Sequence, residues 1–135
     1  LILIDSSAFI EFLNRTGSPY DQTIERLIRN DEDCAIADVI LTELLRGIKN
    51  DREFKAVRDS LATFPLLSLK DSSSYMQAAE LYRACRKKGL TVRSTVDLLI
   101  AQTAIEHNAT LLHNDRDFEA IATVSPLKLY TLPLT

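Results

Sequence analysis

The 135-residue chain has the length of one average domain, and its 46% hydrophobic content is too high for a disordered chain. No apolar run approaches the roughly 18–20 residues that cross a bilayer, and no charged-then-apolar leader opens the sequence. Neither a membrane protein nor a secreted precursor is expected, and the cytoplasm is the expected location. Nineteen acidic against sixteen basic residues leave a net charge of −3, which advertises no nucleic-acid binding overall and still allows a local basic patch.

Short apolar runs alternate with longer helical patterns. Leu1–Ile4 reads as a buried strand, followed by a helix over Ser6–Asn14 with Phe9, Phe12 and Leu13 at helical spacing. After the Gly17-Ser18-Pro19 turn, Ile24, Leu27 and Ile28 mark a second helix. Cys34–Ala37 is a short strand, and Asp38–Ile48 a helix that stops near Gly47. Phe54, Val57 and Leu61 give a further helix, and Leu66–Leu69 a third strand. Asp71–Lys88 is a long helix ending before Gly89, and Tyr75 and Tyr82 are expected to pack within it. Ser94–Asn108 is helical, Thr110–His113 a strand, Asp115–Thr123 a helix and Leu127–Tyr130 a last strand. Strands separated by helices predict a parallel sheet covered on both faces. The expected fold is a three-layer α/β/α domain of about five strands, spanning residues 1–135 as a single unit. Cys34 and Cys85 belong to no CxxC or Cys/His cluster and read as buried thiols of a reducing compartment. The first residue is Leu1, and a few native residues are expected to precede it.

In open parallel sheets, ligands collect beyond the carboxyl ends of the strands. Asp5 is the first residue past the first strand, and Asp115 and Asp117 follow the fourth. Asp97 lies in the first turn of its helix, and Glu43 one turn into the helix after the second strand. Five carboxylates can thus converge on one edge. Singly, each has a plainer reading. Asp5 and Asp115 suit helix N-caps, Asp97 can form a capping arrangement with Ser94, and Glu43 can be a solvated helix residue. Asp97 is the hardest to dismiss, because it shares a helix side with Ile100, Ala101 and Ala104. An ionised carboxylate on that apolar side is costly unless paired or bound to a cation. Clustered oxygen ligands point to Mg²⁺ or Mn²⁺ rather than zinc or copper.

Four segments carry a family resemblance: Asp5-Ser6-Ser7-Ala8-Phe9-Ile10, Thr42-Glu43-Leu44-Leu45-Arg46-Gly47, Asp97-Leu98-Leu99-Ile100-Ala101 and Asn114-Asp115-Arg116-Asp117-Phe118. In this order and spacing they resemble the PIN-domain ribonucleases, and among them the VapC-like toxins of bacterial and archaeal toxin–antitoxin pairs. The resemblance runs from Leu3 to about Tyr130. It implies a PIN-like fold and a metal-dependent endoribonuclease that uses Mg²⁺ or Mn²⁺. It also implies Asp5, Glu43, Asp97 and Asp115 as catalytic and metal-binding acids, with Asp117 as an auxiliary acid and Ser7 as the hydroxyl supporting the first acid. His113 departs from the pattern, standing where family members often carry Thr or Ser. It either orients water or phosphate or merely ends the strand.

Such a site hydrolyses phosphodiester bonds through metal-activated water, and the resemblance implies 5′-phosphate and 3′-hydroxyl products. RNA phosphates would be gripped by Arg83, Arg86, Lys87, Lys88 and Arg93, the densest basic stretch, and by Arg46. A solvated helix end is the plainer reading of the same cations. The implied partners are the RNA substrate, a cognate antitoxin and a second copy in a homodimer, with Ile10 and Ile40 as candidates for a subunit contact. The alternative is a PIN-fold RNA-binding or RNA-processing component outside any toxin pair. A phosphoacceptor receiver domain fits poorly, because Asp5 stands alone at the first strand and Lys70 follows the third.

Overall fold

Three- and four-residue apolar segments form the centre of the structure, a computed structural model that describes residues 1–133. The strands are β1 (Ile2–Ile4), β2 (Cys34–Ala37), β3 (Leu66–Leu67), β4 (Thr110–Leu112) and β5 (Lys128–Leu129). They make one sheet in the order β3-β2-β1-β4-β5, and every pairing is parallel. Ile4 pairs with Leu112, and the Asp5 amide donates to the Leu112 carbonyl. Asp5 and His113 are therefore the first residues past two adjacent strands. From β1 to β3 the chain steps one way across the sheet, and from β3 to β5 it steps back. The crevice between β1 and β4 lies where that direction reverses, the place where open parallel sheets bind ligands.

The helices are α1 (Ser6–Leu13), α2 (Pro19–Arg29), α3 (Val39–Leu45), α4 (Asp51–Leu61), α5 (Ser72–Lys87), α6 (Thr95–Glu106) and α7 (Asp117–Thr123). The four preceding β3 pack in the series α2, α1, α3, α4, and α5, α6 and α7 pack together as a second group. Right-handed crossovers running in opposite directions put the two groups on opposite faces, which makes the predicted three layers. Helix α3 also touches α6, and this contact brings Glu43 toward Asp97.

Local chemistry sets the helix ends. Ser18 caps α2 ahead of Pro19, and Asn50 caps α4. Asp71 and Ser74 form a reciprocal box at the start of α5, and Gly89, at φ +76°, ends that helix in the left-handed region. Leu3, Ile4, Phe9, Ile36, Ile100, Leu111, Leu112 and Phe118 are fully buried, each contributing roughly 1.5–3 kcal/mol. Phe9 meets Phe12 and Phe64 edge to face.

The structure corrects several expectations. Tyr75 and Tyr82 do not pack inside α5; they are 54% and 38% exposed. The buried side of that helix runs through Ser74, Ala78 and Cys85, and each tyrosine sits one step around the wheel from it. Ile40 is fully buried in the core, so it cannot face a partner subunit, whereas Ile10 is 46% exposed. Helix α3 is shorter than Asp38–Ile48, and α7 begins at Asp117 rather than Asp115. Strands β3 and β5, at the two sheet edges, span two residues each rather than the expected four, and Leu66 of β3 is exposed. Both cysteines are free and buried. No helix among the described residues is long and apolar enough to cross a membrane.

Candidate active site

Asp5 enters the crevice from the end of β1, where the chain must turn into α1. Its Oδ2 accepts the Ser7 amide at 3.0 Å and the Ser7 hydroxyl, so the residue is a true helix N-cap. Its Oδ1 is buried with no hydrogen-bond partner. Capping thus occupies one oxygen and leaves the other free. The Ser7 hydroxyl in turn accepts the Asn114 amide at 2.8 Å, which latches the loop after β4 onto the start of α1.

That loop is wound by its own side chains. The Asp115 amide donates to His113 Nδ1 at 3.1 Å, and the Asp117 amide donates to Asp115 Oδ1 at 2.9 Å. Asp117 Oδ2 accepts the Arg93 amide at 3.1 Å, tying the loop to the segment ahead of α6. The short Asn-Asp-Arg-Asp run therefore aims two carboxylates at the same place. Oxygens of Asp97, Asp115 and Asp117 lie within 4.8 Å of one another.

Asp97 is 6% exposed and Asp5 1%. The expected capping partnership of Asp97 with Ser94 is absent, since the Ser94 side chain makes no cap hydrogen bond. Helix α6 instead buries Asp97 with Ile100, Ala101 and Ala104. Its carboxyl is pushed up to about 8, first by burial and then by the charges of Asp5, Asp115, Glu43 and Asp117. Asp5 is raised to about 6, again by burial first; its Ser7 hydrogen bonds lower it in part, and the charge of Glu43 raises it. Glu43 Oε1 is a second buried oxygen without a partner. Asp97 thus feels the charge of all four other acids singled out in the sequence, and an Asp117 oxygen lies within 4.8 Å of oxygens of both Asp97 and Asp115.

The profile of the PIN domain matches residues 2–124. The chain belongs to the PIN-domain family. Within that family it is 36% identical over 129 residues to VapC ribonuclease Mb1587 of Mycobacterium bovis, covering 95% of this chain and 96% of the relative. Ribonuclease VapC11 of Mycobacterium tuberculosis matches equally, with the same identity and coverage. Among solved structures, VapBC2 from Rickettsia felis bound to a DNA fragment from its promoter shares the fold at a TM-score of 0.75 and 24% identity, covering 96% of each chain.

Two further acids of this PIN domain tie its loops together away from the cluster. Asp38, just past β2, accepts the Ser68 hydroxyl at 2.8 Å and ties β2 to the chain after β3. Asp21 is buried in α2, where it accepts the Gly17 amide and pairs with Arg15. Sequence reasoning missed Asp21; the short Arg15-to-Asp21 separation around a Gly-Ser-Pro turn was the available signal. The cations singled out for RNA are exposed, and several are engaged locally. Arg86 donates to the Thr91 hydroxyl, Lys88 to the Thr123 carbonyl, and Arg83 pairs with Glu80. Arg46 lines a groove of about 480 Å³ between α1, α3 and α4, beside Ser7 and Glu43.

Proposed function

We propose that this protein is the toxin of a toxin–antitoxin pair and a Mg²⁺- or Mn²⁺-dependent endoribonuclease. The observation that carries the reading is the convergence of five carboxylates, two of them with buried oxygens that nothing in the fold satisfies. A fold seldom leaves such atoms unpaired, and the donor set is entirely carboxylate oxygen, which suits a hard divalent cation. Asp5, Glu43, Asp97 and Asp115 would hold the ion, with Asp117 beside them. When bound, the ion acidifies a water and offsets charge on the phosphate. Glu43, through Oε1, accepts a proton from the attacking water or orients it. Asp5 is fixed by its cap hydrogen bonds, and Asp115 by the turn that its own Oδ1 closes.

Exposed Arg93, whose amide Asp117 holds, and Arg46, in the groove beside Glu43, hold RNA phosphates near the acids, and exposed Lys87 at the end of α5 extends that contact. The VapC names of the relatives and the VapBC complexes among the structural neighbours support an antitoxin partner. The groove between α1, α3 and α4 carries Ile10, Leu13, Leu44, Ile48 and Val57 and ends at Ser7 and Glu43. An amphipathic antitoxin segment laid there brings an Arg or Lys to the acids. The homodimer expected of this reading would cover the exposed Tyr75, Met76 and Tyr82 of α5. The cytoplasm, where RNA and reduced cysteines occur together, is its place of action.

The test is incubation of the purified protein with total RNA and Mg²⁺ or Mn²⁺, followed by sequencing of new 5′ ends. Metal-dependent cuts that vanish on adding the product of an adjacent small gene are the expected result. An absence of cleavage with either metal defeats the enzyme reading; cleavage indifferent to that product defeats the toxin reading and favours RNA processing.

A further inference from the structure

A second, polar pocket opens beside Asp115, with a volume of about 410 Å³. Its walls are Tyr20, His113, Asn114, Arg116 and Glu119 together with Asp115 itself, so whatever fills it lies next to the acidic site. His113 is fixed there in a definite state. Its Nδ1 accepts the Asp115 amide, and its ring rests against Phe118 at 5.2 Å. With Nδ1 used as an acceptor, the neutral ring carries its proton on Nε2. Glu119 stands near enough to act on the ring by charge, yet the two form neither a hydrogen bond nor an ion pair among the described residues. The pocket thus presents a fixed donor and a separate carboxylate, with an aromatic wall from Tyr20 and an exposed cation from Arg116.

We propose that this pocket receives a guanine base adjacent to the scissile phosphate, with His113 Nε2–H donating to its O6 or N7 and Glu119 accepting from its N1–H and N2 amino group. The inference rests on the ribonuclease reading and adds base specificity to it. A carboxylate is an acceptor only. Guanine is the base that offers it two adjacent donors beside a carbonyl acceptor. Adenine and cytosine turn a ring-nitrogen acceptor toward it, and uracil has one donor between two acceptors. The pocket is large enough for one base, and single-stranded RNA bases are commonly held by stacking on an aromatic ring together with hydrogen bonds to their edges. Arg116 is placed for the neighbouring phosphate.

The experiment uses single-stranded RNA oligonucleotides built around a mapped cut, with guanine, inosine, adenine, uracil or cytosine on either side. Cleavage is followed with Mg²⁺, and binding is measured separately in EDTA with fluorescein-labelled copies. Inosine lacks only the N2 amino group, so the wild type should cut and bind guanine about tenfold better than inosine at one flanking position. Glu119→Gln should collapse that ratio to about threefold or less. His113→Gln, which keeps a donor, should retain more of the preference for guanine than His113→Leu. Melting curves identify variants that fail to fold, and Glu119, exposed on α7, decides the matter if both His113 variants fail. Equal use of guanine and inosine by the wild type overturns the proposal, as does a ratio that survives Glu119→Gln. If no RNA is cut at all, the EDTA binding arm is run on short homopolymeric oligonucleotides carrying one central guanine, inosine, adenine or cytosine: a guanine preference supports the pocket while the ribonuclease reading falls, and indifference overturns both.

Discussion

Replacing Asp97 with Asn removes one charge from the crowded crevice while keeping the shape of the side chain. Its carboxyl is pushed up to about 8 in the folded chain, from an ordinary value of 3.8. A group whose folded value is raised stabilises the fold fully only below its unfolded value, and that contribution is lost as pH rises through the folded value. At pH 7, about three pH steps above the ordinary value, keeping this carboxyl protonated costs the fold about 4 kcal/mol as an upper bound, at 1.36 kcal/mol per step. Mutual repulsion is shared among five acids, so about 2–4 kcal/mol is the working range. Metal-free Asp97→Asn should therefore melt several degrees above the wild type at pH 7–8, and the advantage should shrink toward pH 5. Added Mg²⁺ or Mn²⁺ should stabilise the wild type by mass action, about 2.7 kcal/mol at a hundredfold excess over Kd, and the variant much less. Cleavage of RNA should be lost. Calorimetry at pH 5, 7 and 8 with and without metal, beside a cleavage assay, reads all of these. A variant that melts no higher than the wild type, shows the same metal shift and still cuts RNA would refute the assignment.

In the metal-free wild type, melting temperature should rise on acidification from pH 8 to 5, because Asp97 at about 8 and Asp5 at about 6 take up protons in that window; the metal-induced shift should grow in the opposite direction, and a flat profile would count against the cluster. Ser7→Ala removes a donor to Asp5 and the acceptor for the Asn114 amide; it should cost about 1–3 kcal/mol and weaken Mn²⁺ binding roughly 10- to 100-fold, measured by denaturation and titration. Lys87→Ala combined with Arg93→Ala should reduce the log–log salt slope of RNA binding by about 0.7 per lost phosphate contact; an unchanged slope places the RNA elsewhere.

The acids were legible because parallel topology converts sequence position into place. A residue at or shortly after a strand's end lies at the carboxyl edge: Asp5 directly follows β1, and Asp115 stands in the loop that leaves β4. Asp97 was legible because its helix is apolar on the side that bears it, whereas the nearness of Asp117 to Asp97 and Asp115, and the approach of Glu43 through the α3–α6 contact, arise from tertiary packing. Periodicity was a weaker guide on helix sides where the apolar stripe is narrow. Tyr75 and Tyr82 recur at a spacing of seven, as Ala78 and Cys85 do, and nothing in the spacing tells which of the two stripes meets the sheet. Ile40 faced the same ambiguity in α3, and the core claimed it. The partners of the basic residues lie in loops and on other helices, so the bonds of Arg86 and Lys88 could not be read from the chain.

Asp5 and Asp97 show two ways in which one fold carries an acid at a functional edge. Asp5 spends Oδ2 on the start of α1, so its burial is partly offset by capping and only Oδ1 is left wanting. Asp97 has no such compensation; its own helix buries it, and the four neighbouring acids all raise its cost. Any positive group that enters the crevice therefore gains from relieving the same repulsion, whether it is a divalent ion or the side chain of an inserted antitoxin residue. The two must compete, since each removes the driving force for the other. On this argument an antitoxin inhibits by satisfying the acids as well as by blocking RNA. Its affinity should fall as Mn²⁺ is raised, and that dependence should weaken when Asp97→Asn has already removed part of the repulsion.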